Sequence, residues 1–233
     1  MLRSARILVL FPLMLAAGTC MCGSVWAAGG GSMEAPTAMM SAPMTPEELA
    51  AADYNAGVKL VKEADEALAD AAQATVPKKQ QKAQDRAKKY FGKAQKKFES
   101  AVEHKPDLYQ AWNYVGYTKR NLGDYSGALA AYDHALQLSP RYFEAIEYRG
   151  HAYLGLNRVG DAQQAYLDLF AGNRALADKL LVAMKSWLSS HRSDAQGVDG
   201  ATLEDFAKWV DERGAIAGNT MGLAPASSLA SWR

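Results

Sequence analysis

The stretch WNYVGYTKRNLGDYSGALAAYDHALQLSP, Trp112–Pro140, decides the fold. Its small and aromatic residues recur at a fixed interval. Shifted forward by one period, Ala111, Tyr114, Gly116, Leu122, Ala128, Ala131 and Tyr132 fall on Ala145, Tyr148, Gly150, Leu156, Ala162, Ala165 and Tyr166. Shifted back by the same period, Ala128, Tyr132, Ala135 and Pro140 fall on Ala94, Phe98, Ala101 and Pro106. Self-similarity of this kind marks a stack of supersecondary units, each unable to bury its apolar face alone, so at least three must pack together. Within one unit Gly116 and Ala128 are small enough for two antiparallel helices to approach closely. Trp112 and Tyr132 fill the space between neighbouring pairs. Asn121–Asp124 makes the turn and Pro140 ends the second helix.

At these residues the chain resembles the tetratricopeptide repeat family. Trp112-x2-Val115-Gly116, Leu122-Gly123, Tyr125, Ala128, Tyr132, Ala135 and Pro140 follow the family pattern through one unit, 109–142. A second unit, 143–175, follows it with Ile146 in the Trp place and no closing proline. The resemblance implies an all-α fold, a short solenoid of antiparallel helix pairs. It also implies a protein-binding role, with an extended peptide or helix held in a concave groove lined by the first helix of each pair. The non-core stripe of those helices is Gln110, Asn113, Tyr114, Tyr117 and Asn121, continued by Glu144, Glu147, Tyr148 and His151. These nine are the candidate partner-binding residues, although the recurrence of Tyr114 and Tyr148 also fits packing between repeats. The family's Lys/Asn clamp for a terminal carboxylate is missing, since Tyr54, Val58, Tyr114, Glu144 and Tyr148 occupy its places.

The first unit, 45–108, is irregular. Thr45-Pro46-Glu47-Glu48 is a helix start with a capping hydroxyl, an early proline and a reaching Glu. Gly57 to Ala94 then spans 37 residues where Gly116 to Ala128 spans 12, so 25 residues are inserted. Val61, Ala64, Leu68 and Ala72 read as one face, and Ala83, Ala87, Phe91 and Ala94 as its partner across a break at Thr75-Val76-Pro77. The expected form is a helical hairpin projecting beyond the repeats. It carries a basic arm: Lys78, Lys79, Lys82, Arg86, Lys88, Lys89, Lys93, Lys96 and Lys97, against Asp85 alone. Such an arm suits an anionic envelope surface or an acidic protein, or serves only to solubilise an Ala-rich hairpin.

Residues 1–27 have the grammar of a secretory signal: Arg3 and Arg6, an apolar run Ile7 to Ala17, then small residues to Val25-Trp26-Ala27. Export to a bacterial periplasm is the expectation, and it disfavours nucleic acid as a partner. Thr19 is a poor neighbour for lipidation at Cys20, and with Cys20 and Cys22 removed the mature chain has no disulfide. Without Arg3 and Arg6 the 26 basic residues fall to 24 against 25 acidic, a net charge of −1. The basic arm, at +8, is therefore balanced by −9 elsewhere. Residues 28–44 read as a Gly-, Pro- and Met-rich linker, where Met33, Met39, Met40 and Met44 lack the His or Cys a metal site would add. After the repeats, Leu180, Ala183, Met184 and Trp187 mark one capping helix. Leu203, Phe206, Trp209 and Val210 mark a second, begun at Thr202; the caps cover 176–216, and 217–233 is a tail.

His104, His134, His151 and His191 lack metal-ligand spacing, and no phosphate loop, paired carboxylates or nucleophile motif stands out. Neither an enzyme nor a bound cofactor is expected. The reading is an extracytoplasmic scaffold or adaptor, in envelope assembly, that binds a peptide or helix in its groove. The rival is a structural or oligomerising envelope protein acting through the basic hairpin.

Overall fold

The computed structural model describes residues 43–193 and 197–220, and every regular element among them is an α-helix. In chain order they are α1 Pro46–Gln73, α2 Pro77–His104, α3 Tyr109–Asn121, α4 Tyr125–Leu138, α5 Phe143–Gly155, α6 Val159–Gly172, α7 Arg174–Ser193 and α8 Gly200–Thr220. The signal, all but the last two residues of the linker, and most of the tail lie outside the described residues, as do Met33, Met39 and Met40.

The ends of the helices follow from local chemistry. Thr45 and Glu48 cap α1 reciprocally: the Thr45 hydroxyl accepts from the Glu48 amide at 3.2 Å and the Thr45 amide donates to the Glu48 carboxylate at 2.8 Å. Pro77, the first residue of α2, tolerates that place because its missing N–H has no partner there in any helix. Gly123 (φ +91°) and Asn157 (φ 58°), one repeat period apart, both reverse the chain in left-handed backbone. The Asp124 side chain then accepts from the Gly127 amide at 2.9 Å and caps α4. The second capping helix starts two residues earlier than Thr202, because the Asp199 carboxylate accepts from both the Thr202 amide (2.9 Å) and its hydroxyl (2.6 Å).

Each helix packs against the next in sequence. Helices α1 and α2 have 28 residues apiece, about twice the 13 or 14 of α3 to α6. They run antiparallel, as the pairing of Asp70 with Arg86 and of Asp53 with Lys97 (2.7 Å) requires. Their seam differs on one side from the sequence expectation. On α1 it is Val61, Ala64, Ala67 and Ala71 that are buried, while Leu68 is 39% exposed and Ala72 is exposed. Steps of three, three and four keep the stripe beneath α2, and alanine there brings the two backbones closer than leucine would. On α2 the buried set is Ala87, Phe91, Ala94 and Phe98, with Ala83 only half-buried.

Two of the pairs share one close contact. A methyl group built on Gly57 would meet the Phe98 ring at 2.7 Å, and one on Gly116 would meet the Tyr132 ring at 2.5 Å. Phe98 and Tyr132 hold the same place in successive repeats and are both fully buried. Gly150 breaks the pattern. The side chain over it is Leu180 of α7, at 2.6 Å. Helix α7 packs on both α5 and α6, and with α8 it closes a core containing Leu154, Tyr166, Leu169, Leu180, Met184, Trp187, Phe206 and Val210. Trp187 ties this end down, its indole N–H donating to the Leu154 carbonyl at 2.8 Å near the end of α5.

Gly116 and Gly92 make a controlled pair. Gly116→Ala drives a methyl into a buried ring and should cost about 1–3 kcal/mol by overpacking. Gly92→Ala, with nothing within 4 Å of the new methyl, should gain about 1 kcal/mol from helix propensity. Urea unfolding of both variants checks the opposite signs.

Candidate functional site

The first helices of successive pairs bring a chain of aromatic rings together. Tyr54 of α1 meets Phe98 edge-on (5.8 Å between centroids) and Tyr114 of α3 (5.7 Å). Tyr114 stacks on Phe98 at 4.7 Å and 9° and touches Tyr117 at 6.2 Å. Tyr117 reaches Phe91 of α2 (6.0 Å) and Tyr148 of α5 (5.2 Å), which in turn meets Tyr132. Helical geometry explains the alignment. Tyr114 and Tyr117 are three positions apart on one face, and Tyr148 repeats Tyr114 one period later. Tyr54, Tyr114, Tyr117 and Tyr148 are each half-buried, so each has one side on the core and one exposed.

Polar groups are set among the rings. The Tyr117 hydroxyl donates to the Asp65 carboxylate at 2.9 Å. The Arg120 guanidinium lies 5.3 Å from the Tyr117 ring and 5.7 Å from that of Tyr148, within cation–π range of both, and its buried Nε has no hydrogen-bond partner. His151 and Glu147 share a 2.7 Å hydrogen bond. The Asn121 side-chain amide donates to the Tyr117 carbonyl at 2.8 Å, which ties it to its own helix.

Of the nine candidate residues, Tyr114, Tyr117 and Tyr148 join one aromatic array, and Glu147 and His151 form a pair. Gln110 is half-buried and Glu144 exposed, both in the first turns of their helices. Asn113 and Glu147 do not lie on an open surface. They are 2% and 6% exposed and occupy equivalent places in successive repeats. Asn113 is buried with its side-chain oxygen unpartnered, an arrangement that usually costs stability. Sequence reading missed Asp65 and Arg120. Arg120 was within reach, being one turn from Tyr117, whereas Asp65 sits in the inserted part of α1, where no repeat register points to it.

Burial sets the ionisation of these groups. It raises the Tyr117 phenol, and the Asp65 charge and hydrogen bond raise it further. Burial also raises Tyr132, Tyr142, Tyr114 and Tyr54, and pushes Tyr148 up to about 12 with the neighbouring Glu147 adding to it. Asp65 is raised by burial, opposed by the Tyr117 hydrogen bond and the Arg120 charge.

The basic arm is a separate feature. All nine of its side chains are exposed. Two have acidic partners, Arg86 with Asp70 and Lys97 with Asp53. An open pocket of about 770 Å³ lies between the ends of α1 and α2, lined among others by Asp70, Thr75, Lys79, Lys82 and Arg86. No known protein-family model matches the chain, and no curated protein matches it.

The raised phenols link stability to pH. An unfolded tyrosine ionises near pH 10, so their contribution is fully present below about that pH and is lost as pH rises through the folded values. Phenolate absorbance from Tyr117, Tyr132 and Tyr148 should therefore rise in step with loss of helical circular dichroism above about pH 10. A rise that precedes unfolding would contradict the burial described here.

Proposed function

We propose that the chain is an exported scaffold of the tetratricopeptide repeat type, a short solenoid of helix pairs that holds an extended peptide or a helix against the tyrosine face of α1, α3 and α5. The observation that carries this reading is the unbroken run of half-buried rings from Tyr54 through Tyr114 and Tyr117 to Tyr148. Tyrosine offers a rigid apolar plane and a hydroxyl at low entropic cost, which suits adaptable peptide contacts. The Arg120 guanidinium, within cation–π range of the Tyr117 and Tyr148 rings, adds a cation beside them. Gln110 and Glu144 would flank the ligand at the rim. Binding, rather than catalysis, is the proposed activity, and the bacterial periplasm is its proposed compartment, in the assembly of the envelope. The periodic recurrence of small and aromatic residues and the two glycine–ring contacts support the repeat assignment.

A second reading is supported by the nine exposed basic residues of α2: a structural or oligomerising envelope protein acting through its long hairpin.

A photo-crosslinking residue placed at Gln110 or Glu144 tests the first reading in the native envelope. Adducts to a defined partner segment are expected, and Tyr117→Ala should weaken binding about 30-fold, the loss of a buried aromatic anchor of about 2 kcal/mol. The same adducts from a crosslinker at Gln137, on the exposed side of α4, with no effect of Tyr117→Ala, would overturn it.

A further inference from the structure

The nine basic residues of α2 are not equivalent. At about 100° per residue, Lys78, Lys82, Lys89, Lys93 and Lys96 fall within an arc of about 60°, directly opposite the seam of Ala87, Phe91, Ala94 and Phe98 that faces α1. Lys79, Arg86 and Lys97 lie to one side of that arc; Arg86 and Lys97 are taken up by Asp70 and Asp53 of α1, and Lys79 lines the open pocket at the hairpin end. Lys88 lies on the other side, where it lines a pocket with Leu68, Phe91 and Asn121 of α3. The five aligned lysines are exposed, and none has a carboxylate within ion-pair distance among the described residues. From Lys78 to Lys96 the row is about 27 Å long at 1.5 Å per residue. The helix thus presents one row of cations, backed by an apolar seam that prevents the row from turning inward.

We propose that this row lies against an anionic lipid bilayer surface, with α2 parallel to the membrane plane. Three observations favour a lipid surface over other anionic partners. All five residues are lysine, whose compact charge on a mobile four-carbon stem suits diffuse, laterally mobile phosphates; arginine would suit the fixed bidentate geometry of a protein carboxylate. All five side chains are exposed within one arc of about 60°, which a plane can engage at once. At the hairpin end, Val76 is an exposed apolar side chain, 46% accessible, two residues before Lys78. A second copy packed row to row is disfavoured as occupant, because the Lys78–Lys97 stretch is +8 in every copy and like charges would oppose that approach. Attachment through the lysine row is electrostatic and therefore salt-sensitive; no helix among the described residues is long and apolar enough to cross a membrane.

Flotation of the full chain with vesicles rich in phosphatidylglycerol tests this. The protein should float with these vesicles at low salt, should stay behind with pure phosphatidylcholine vesicles, and should be released at high salt. The triple variant Lys82→Gln, Lys89→Gln, Lys93→Gln should lose about a hundredfold in vesicle affinity while keeping its helical circular dichroism. Lys88→Gln, off the row, should bind nearly as well as the parent. Equal loss in Lys88→Gln and in a single variant of the row would overturn the assigned face. Failure to bind phosphatidylglycerol vesicles would overturn the lipid assignment, as would equal binding of the triple variant. So would affinity for soluble polyglutamate matching that for vesicles, which would point to an acidic protein instead.

Discussion

A glycine pressed against an aromatic ring is the contact on which the repeated part of the molecule depends. Gly116 beneath Tyr132 and Gly57 beneath Phe98 leave no room for even a methyl group, so the two helices of each pair are held at a distance set by the thickness of a ring. Packed interiors do not deform continuously, and the spacing within a pair therefore fixes where the next pair can sit. At α5 the same role passes to an aliphatic side chain from outside the pair, Leu180 of α7 over Gly150. The substitution has a consequence. Tyr166, the counterpart of Tyr132, turns its ring to Phe170 (5.7 Å) and Trp209 of α8 (5.3 Å), and the capping helices merge with the last pair into one core.

That spacing aligns the tyrosines. Tyr114 is pinned flat on Phe98, the ring that also covers Gly57, so the packing contact and the aromatic face share a residue. Tyr148 meets Tyr132, the ring over Gly116, at a tilt, 6.2 Å between centroids and 44° between planes. The rings that line the face are thus extensions of the core rather than appendages to it, which explains why their phenols are raised and why the recurrence of Tyr114 and Tyr148 has both a packing and a binding interpretation. The polar groups beside them carry a cost: Asn113 is buried without a partner for its oxygen, and Glu147 is buried with a histidine alone among the described residues. Buried groups left in this state commonly mark places where function has overridden stability.

The helices were legible in the sequence because each repeat carries its own punctuation. Gly123, Asp124 and Pro140 end and start elements by local chemistry, and Thr45 with Glu48 signals α1 unaided. The hairpin break at Thr75–Pro77 was equally plain. The seam of α1 was not: Ala67 and Leu68 both satisfy a spacing of three or four, and hydrophobicity alone prefers leucine, whereas close approach prefers alanine. At the site, the tyrosines were visible through their period, but Asp65 was hidden in an insertion without register. The depth of Asn113 and Glu147 was hidden too, since polar residues on a first helix read as solvent-facing until the neighbouring pair is in place.

The central claim, that the close approach of Gly116 to the Tyr132 ring sets the pair spacing, is tested most directly by a double-mutant cycle. The stability of Gly116→Ala is measured in the native background and again with Tyr132→Leu, where the ring that blocks the methyl has gone. The account predicts strong coupling, with the alanine costing about 1–3 kcal/mol beside the ring and little or nothing without it. Additivity of the two substitutions within about 0.5 kcal/mol would contradict it.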